Sequence, residues 1–156
     1  MNIQQKKKQS GFTIIEVVLV LAIAGLIFLM VFIALPALQR NQRDVQRKND
    51  LGRVKTALQG YMSSNRGDIP RTEAQKTSFK NRYLIPTSEY IDPQGTEYSI
   101  DLEDRSTTGP ANLGQIVYVN GSTCGPDGTV VAGAQRDYAL LMKLEGQSVP
   151  FCLDSK

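Results

Sequence analysis

Residues 11–16 are Gly-Phe-Thr-Ile-Ile-Glu, and an almost unbroken apolar run follows from Val17 to Leu38. A helix needs roughly 20 apolar residues to cross a bilayer, so this run is long enough. Glu16 immediately precedes it, although a carboxylate costs roughly 2.5–3.5 kcal/mol at the centre of a membrane helix and less near its ends. A simple anchor gains nothing from this acid. We therefore expect Glu16 to have a partner in an apolar setting.

The net charge of the chain is concentrated at its start. It is +3, and Lys6, Lys7 and Lys8 account for all of it. The remainder is neutral, so no general nucleic-acid surface is predicted. The sequence contains no histidine, which excludes common zinc sites and Ser-His or Cys-His catalysis within this chain. No other catalytic set is evident, so we predict neither an enzyme nor a metal or cofactor site.

The two cysteines, Cys124 and Cys152, lie far from the apolar run. An even number of cysteines in an exported domain predicts one disulfide, and two free thiols are the alternative. A bridge would close a loop of about 28 residues and contribute about 3–4 kcal/mol of stability in the chain-entropy account. It would also place the C-terminal domain in an oxidising compartment. Charge alone does not settle the orientation, because basic residues flank the span on both sides.

The lysines at 6–8, the hexapeptide at 11–16 and the apolar helix resemble the leader and N-terminus of type IV pilin precursors. Type II secretion pseudopilins share this signature, and the resemblance is specific over residues 6–50. In that family a membrane peptidase cuts after the glycine on the cytoplasmic face and methylates the new N-terminus. The resemblance therefore implies cleavage between Gly11 and Phe12, followed by N-methylation of Phe12.

The same resemblance gives Glu16 a role in assembly. Cleavage exposes a cationic amine on Phe12, which Glu16 of a neighbouring subunit can neutralise inside an apolar bundle. At 4 Å and an effective dielectric near 20, the attraction is roughly 4 kcal/mol before desolvation. The alternative is that Glu16 lies at the membrane interface, solvated by headgroups. The implied partners are the prepilin peptidase and methyltransferase, identical or related pilin subunits in a homopolymer, and the pilus assembly platform of the inner membrane.

The predicted fold class is α+β and pilin-like, with a long N-terminal helix packed on a small antiparallel β-sheet. The predicted segments, in chain order, are a leader peptide (1–11), an apolar transmembrane and assembly helix (12–38), an amphipathic helical stem (39–65), a connecting loop (66–95) and a β-sheet with the disulfide-closed region (96–156). The loop is expected to hold a short helix around residues 73–83.

The stem is predicted from helical spacing. Apolar residues recur at steps of 3 and 4 from Leu51 to Tyr61, which is typical of one face of a helix. The opposite face carries charged residues, including Asp50. We expect the basic cluster Arg40–Lys48 to form a solvated collar just outside the span rather than a nucleic-acid site. The helix is predicted to stop around Asn65-Arg66-Gly67.

Gly25 and Pro36 are two weak points in the apolar helix. Glycine costs about 1 kcal/mol relative to alanine in a helix interior, and Pro36 removes a backbone hydrogen bond. One interpretation is a harmless kink. The other is helix flexibility, either as a hinge or as a segment that loses helicity when the filament stretches. The sequence does not decide between them.

Alternating or β-branched residues predict strands over 97–102, 115–119, 129–132 and 137–145. Most of the tyrosines lie at strand positions and are expected to be core residues. Asn120-Gly121 predicts a turn after the second strand.

The predicted function is a structural subunit of a type IV pilus. It would be held in the bacterial cytoplasmic membrane with its N-terminus inside, and would be extracellular after polymerisation. One alternative is the major pseudopilin of a type II secretion system. Another is a single-span adhesion or DNA-uptake protein that never polymerises. All of these share the same N-terminal chemistry.

Overall fold

The computed structural model describes residues 11–85, 89–103, 109–110 and 112–156. The chain divides into two compact units, residues 1–39 and 40–156. The leader lysines lie outside the described residues. The elements, in chain order, are α1 (Ile14–Ser64), α2 (Glu73–Tyr83), β1 (Ser99–Glu103), β2 (Gln115–Asn120), β3 (Ser122–Cys124), a 3-10 turn (Pro126–Gly128), β4 (Val130–Ala132), β5 (Tyr138–Met142) and β6 (Phe151–Asp154). This is the predicted α+β class, with a long N-terminal helix and a small sheet.

The first unit is the apolar part of α1, and its side chains are exposed. The 18-residue window that best suits a membrane span has no buried residue. Among the described residues, α1 is the one helix long and apolar enough to cross a membrane. Gly25 and Pro36 both lie inside α1, which continues without a break to Ser64.

The second unit has a hydrophobic core between the remainder of α1 and the sheet. The apolar residues that α1 buries are the predicted positions Leu51, Val54, Leu58 and Tyr61. They pack against side chains of β2 and β5, and α2 adds Phe79, whose ring meets that of Tyr61 edge-on at 5.9 Å. The predicted amphipathic stem is therefore the central helix of this core.

The main sheet has the strand order β1-β2-β5-β6. Strands β2, β5 and β6 pair antiparallel, whereas β1 and β2 pair in parallel, so the sheet is mixed rather than wholly antiparallel. Successive side chains of a strand point to opposite faces. Tyr118 in β2 accordingly belongs to the core beside α1, while Val117 and Val119 belong to a second cluster with Leu141 and the half-buried Val130 of β4. Burial on both faces explains the apolar run in β2.

Chain reversals occur where the sequence predicts them. Arg66 and Gly67 have positive φ values of 58° and 80°, and the Gly67 amide donates to the Met62 carbonyl at 2.8 Å, which ends α1. Gly121 has a φ of 61° and turns the chain from β2 into β3. Residue 128 has to be a glycine for a steric reason, because a Cβ there would lie 2.2 Å from the Pro150 carbonyl oxygen.

A disulfide joins Cys124 at the end of β3 to Cys152 in β6. It connects the two-stranded β3–β4 layer to the main sheet. The free-thiol alternative is not what the structure contains. Beside the bridge, the Cys124 amide donates to the Asp154 carboxylate at 2.9 Å. Three of the predicted core tyrosines, Tyr98, Tyr118 and Tyr138, are buried.

A set of buried and half-buried charges fastens α1 to the rest of the second unit. We name it the ionic cluster, and it consists of Arg43, Asp44, Arg47, Asp92 and Glu145. Arg47 has an exposed fraction of 0%. Its Nε and Nη2 donate to the two oxygens of Asp92 at 2.6 and 3.0 Å, and its Nη1 donates to Asp44 at 3.1 Å and Glu145 at 2.8 Å. Arg43 forms a second bidentate pair with Glu145, at 2.7 and 2.8 Å.

The carboxylates of the ionic cluster also accept hydrogen bonds from backbone amides. Asp44 accepts the amides of Glu145 and Gly146 at 2.9 and 2.8 Å, and Asp92 accepts that of Gln94 at 2.9 Å. The segment after β5 and the loop after α2 are thereby joined to one stretch of α1. Because the Arg43 and Arg47 guanidiniums donate to it, the pKa of Glu145 is lowered to about 2. The hydrogen bonds that Arg47 donates to Asp92 raise the pKa of Arg47 above its usual value. The Arg47 side chain therefore stays charged.

The ionic cluster shows that the expected solvated collar over 40–48 is wrong for Asp44 and Arg47. Their partners include residues 45 to 102 positions away in sequence, so helical periodicity could not reveal them. Asp50 was expected on the solvent face as well. It is 6% exposed and accepts the Tyr98 hydroxyl at 2.9 Å. Arg40, by contrast, is exposed as expected.

Candidate processing and assembly site

Gly11 and Phe12 precede α1, which begins at Ile14. Both residues are exposed, and the Phe12 side chain retains 92% of its accessible surface. A Cβ placed on Gly11 would meet nothing within 4 Å, and its φ is not positive. Nothing in the described fold therefore requires glycine at this position. A requirement for glycine would come from a protein that reads the segment from outside, such as a peptidase.

Thr13 and Glu16 form a capping box at the start of α1. The Thr13 amide and hydroxyl both donate to Glu16 Oε2, at 2.8 and 2.7 Å. The Glu16 amide returns a longer bond of 3.4 Å to the Thr13 hydroxyl. These reciprocal bonds satisfy donors that the first turn of any helix leaves unpaired. A carboxylate at this position also interacts favourably with the helix dipole.

The capping box gives Glu16 a partner within its own chain. The Thr-x-x-Glu spacing of residues 13–16 is a recognised signal of helix N-termini, and it could have been found in the sequence. Both donors bind Oε2, so within the described part of the chain Oε1 has no donor. The carboxylate can hold its local bonds and still accept one more donor from another molecule.

Phe12 and Glu16 lie along the same groove of the first unit, with Val17, Val20 and Leu21 as its other lining residues. The groove is almost wholly apolar apart from the carboxylate. The structure therefore places the predicted cleavage point, the predicted methylation point and the acid at one end of one helix.

The remaining predicted site residues lie elsewhere. Gly25 and Pro36 belong to the first unit but lie further along α1. The disulfide of Cys124 and Cys152 belongs to the second unit. The described residues contain no group of three or more acidic, cysteine or histidine side chains arranged to hold a metal ion.

Comparison with known proteins identifies one motif. Residues 6–32 match the family model described as the prokaryotic N-terminal methylation motif. Searches of curated proteins and of solved structures gave no significant match to the chain. The motif is the prepilin-type cleavage and methylation signature, and it points to a structural subunit rather than an enzyme. With the long apolar helix, it is consistent with membrane anchoring before assembly. The chain thus carries the processing signature of type IV pilins, which supports a type IV pilin-like or pseudopilin precursor.

Proposed function

We propose that this protein is a structural subunit of a type IV pilus filament. Prepilin peptidase removes residues 1–11, Phe12 is N-methylated, and the processed subunit polymerises through α1. The observation that carries the proposal is a helix with exposed apolar residues on all sides, whose first turn holds a carboxylate next to the expected new amine. Such a surface needs a bilayer before assembly and other subunits afterwards.

The charge arrangement supports pairing between subunits. After cleavage, the amine of Phe12 would be a cation at the tip of an apolar helix, where an unpaired charge is costly. Glu16 Oε1, which has no donor within the described residues, can accept a neighbour's amine. An attraction of roughly 4 kcal/mol at 4 Å and an effective dielectric near 20 would be available only after processing.

The partners and location follow from the same proposal. The unprocessed chain crosses the bacterial cytoplasmic membrane once with its N-terminus inside, where the peptidase and methyltransferase act. The disulfide-containing second unit lies outside, in an oxidising compartment. An assembly platform in the inner membrane then adds identical or related subunits to an extracellular filament. Gly25 and Pro36 are proposed to give α1 the flexibility that packing into the filament demands.

The direct test is mass spectrometry of the native protein together with electron microscopy of material sheared from cells. We expect abundant fibres whose subunit begins with N-methylated Phe12. A subunit that retains Met1 and the lysines and yet forms regular fibres would contradict the proposal.

The major pseudopilin of a type II secretion system is the second candidate, because the matched motif covers residues 6–32 and pseudopilins share this signature. It predicts the same mature N-terminus but no long surface fibres, and loss of protein secretion when the gene is deleted. A single-span adhesion or DNA-uptake protein predicts an uncut leader and no fibres. The mature N-terminus and the sheared fraction therefore separate all three.

A further inference from the structure

Strand β4 pairs with β3 on one side only, as the outer strand of their two-stranded sheet. The Gly133 amide donates to the Gly121 carbonyl at 2.9 Å. Gly133 and, two residues earlier, Val131 are therefore the residues whose backbone groups face β3. The N–H and C=O groups of Val130 and Ala132 point away from β3. Within the described residues these outward groups have no hydrogen-bond partner.

Nothing in the composition of β4 protects this edge. Natural proteins often place a lysine, a proline or an inward-pointing charge on an edge strand, because its unpaired backbone groups can pair with another chain. Strand β4 reads Val-Val-Ala, and the side chain of its central residue, Val131, is 42% exposed. A further strand at this edge would satisfy the backbone groups and cover the valine.

The charges beside β4 favour a second copy of the same strand. In an antiparallel pair centred on Val131, Val130 of each copy lies opposite Ala132 of the other, which gives four backbone hydrogen bonds between the copies. The turn before β4 carries the exposed Asp127, and the turn after it carries the exposed Arg136. Antiparallel pairing brings each turn towards the opposite turn of the other copy. Unlike charges therefore meet on both sides of the two-fold axis.

Both of these charges are available to a second copy. In the part of the chain that the structure describes, neither Asp127 nor Arg136 has an ion pair or a side-chain hydrogen bond. The carboxylate of Asp137, next to Arg136 in sequence, is already engaged. It accepts the Ala134 amide at 2.8 Å and pairs with Lys156 at 3.4 Å.

We propose that two copies of this chain associate through antiparallel pairing of their β4 strands, about a two-fold axis at Val131. The inference concerns the second unit alone and goes beyond the proposed function, since it requires neither cleavage after Gly11 nor the amine of Phe12. A stable complex buries roughly 1,200–2,000 Å², which a strand of three residues does not reach. The pair is therefore transient between free subunits and is strengthened where many subunits are held together.

The test uses the detergent-solubilised full chain with Val131→Cys. Opposite residues of a non-hydrogen-bonded antiparallel pair have Cα atoms about 4.5 Å apart, within the roughly 4.4–6.8 Å that a disulfide spans. Mild oxidation should therefore join the two new thiols in a covalent dimer. Peptide mass mapping distinguishes this link from the Cys124–Cys152 bridge. Thr77→Cys, at an exposed position of α2, is the control for random collision and should give little dimer.

Arg136→Glu, added to Val131→Cys, brings like charges together and should lower the dimer yield about fivefold, the factor that corresponds to about 1 kcal/mol. Arg82→Glu makes the same charge change on α2 and should leave the yield unchanged. Equal dimer yields from Val131→Cys and Thr77→Cys would overturn the β4 pairing. Equal yields with and without Arg136→Glu would overturn its antiparallel register.

This result is separable from the test of the proposed function. Glu16→Gln should abolish fibres and leave the dimer linked through residue 131 intact, because the two units carry the two effects. A dimer without fibres would thus refute the proposed function alone, and fibres without the dimer would refute the β4 pairing alone.

Discussion

Arg47 and Glu16 lie on the same helix, α1, in opposite surroundings. Arg47 has no exposed surface, and three carboxylates of its own chain surround it. Glu16 is exposed among exposed apolar side chains, and within the described residues the hydrogen bonds to its carboxylate come from Thr13 alone. The second unit is therefore complete within one subunit. Under the proposed function, a membrane or other copies of the helix cover the exposed apolar side chains of the first unit.

This contrast separates two kinds of mutation. A change in the ionic cluster should alter the stability of the single subunit, since every partner is in the same chain. A change at Glu16 should leave the subunit folded and alter only its association with other subunits. Four experiments test that division, from the largest expected effect to the smallest.

Glu16→Gln should reduce fibre formation by up to about a thousandfold, the equivalent of an attraction of roughly 4 kcal/mol. Glutamine can still complete a capping box, so this variant removes the charge and keeps the helix start. The amount of subunit in the membrane fraction should stay unchanged, while the sheared fibre fraction disappears. Glu97→Gln, which neutralises an exposed carboxylate of the second unit, should assemble normally. Normal fibres from Glu16→Gln would eliminate the pairing hypothesis.

Arg47→Met should destabilise the second unit by about 3–5 kcal/mol, because it leaves buried carboxylates without their cation. Chemical denaturation of the detergent-solubilised chain, followed by tyrosine near-UV circular dichroism, measures this loss. Arg53→Met is the matched control on the same helix. Its guanidinium is 44% exposed and pairs with Glu89 at the surface, so a loss of at most about 1 kcal/mol is expected. Similar losses for both variants would show that the buried Arg47 contributes no more to the free energy of unfolding than the surface Arg53 does.

The stabilisation from Glu145 should be lost in acid. Its pKa is lowered from 4.5 to about 2 by the Arg43 and Arg47 hydrogen bonds, so the folded state favours the ionised form. This stability is fully present above pH 4.5 and declines as the pH falls towards 2, by on the order of 1–3 kcal/mol after allowance for screening.

The readout is the stability difference between the wild-type chain and Glu145→Gln, measured by denaturation at several pH values. The difference should be large at pH 7 and should shrink towards pH 2, because protonation removes the charge from the wild-type side chain. A gap that stays constant over this range would mean that Glu145 has an ordinary pKa in the folded protein.

Thr13→Val should loosen the first turn of α1 by about 1 kcal/mol, the usual loss for a helix cap. Faster hydrogen exchange at the amides of residues 14–17, measured by mass spectrometry in micelles, is the expected signature. Thr56→Val is the control, since its hydroxyl bonds to the Gly52 carbonyl in the interior of the same helix and caps nothing. Fibres should still form. Unchanged exchange near residue 16 would argue against the capping box.

The sequence predicts local features of this chain well. Helical spacing identifies the buried positions Leu51 to Tyr61, and the short helix expected around 73–83 is α2. Strands β1, β2, β4 and β5 lie within or close to the predicted ranges. Each of these features depends on periodicity or turn residues within a few positions, which is what a single sequence records.

Features that depend on distant partners are not predicted. Strands β3 and β6 were not predicted, since both are short and are defined by the strands and the disulfide beside them. The parallel pairing of β1 with β2 has no local signal either. Arg47 resembles any exposed helix residue until Asp92 and Glu145 are placed beside it. The capping box is different, because its spacing was readable and its role was overlooked.

The ionic cluster has a consequence for protein engineering. A chimera joined to a foreign globular domain after residue 64 would keep Arg47 on its helix and lose the carboxylates of Asp92 and Glu145. A junction between residues 39 and 40, where the two units divide, would remove Arg47 together with Asp92 and Glu145 and so leave no unpaired charge behind. Grafting cargo onto this helix should therefore succeed at the earlier boundary and fail at the later one.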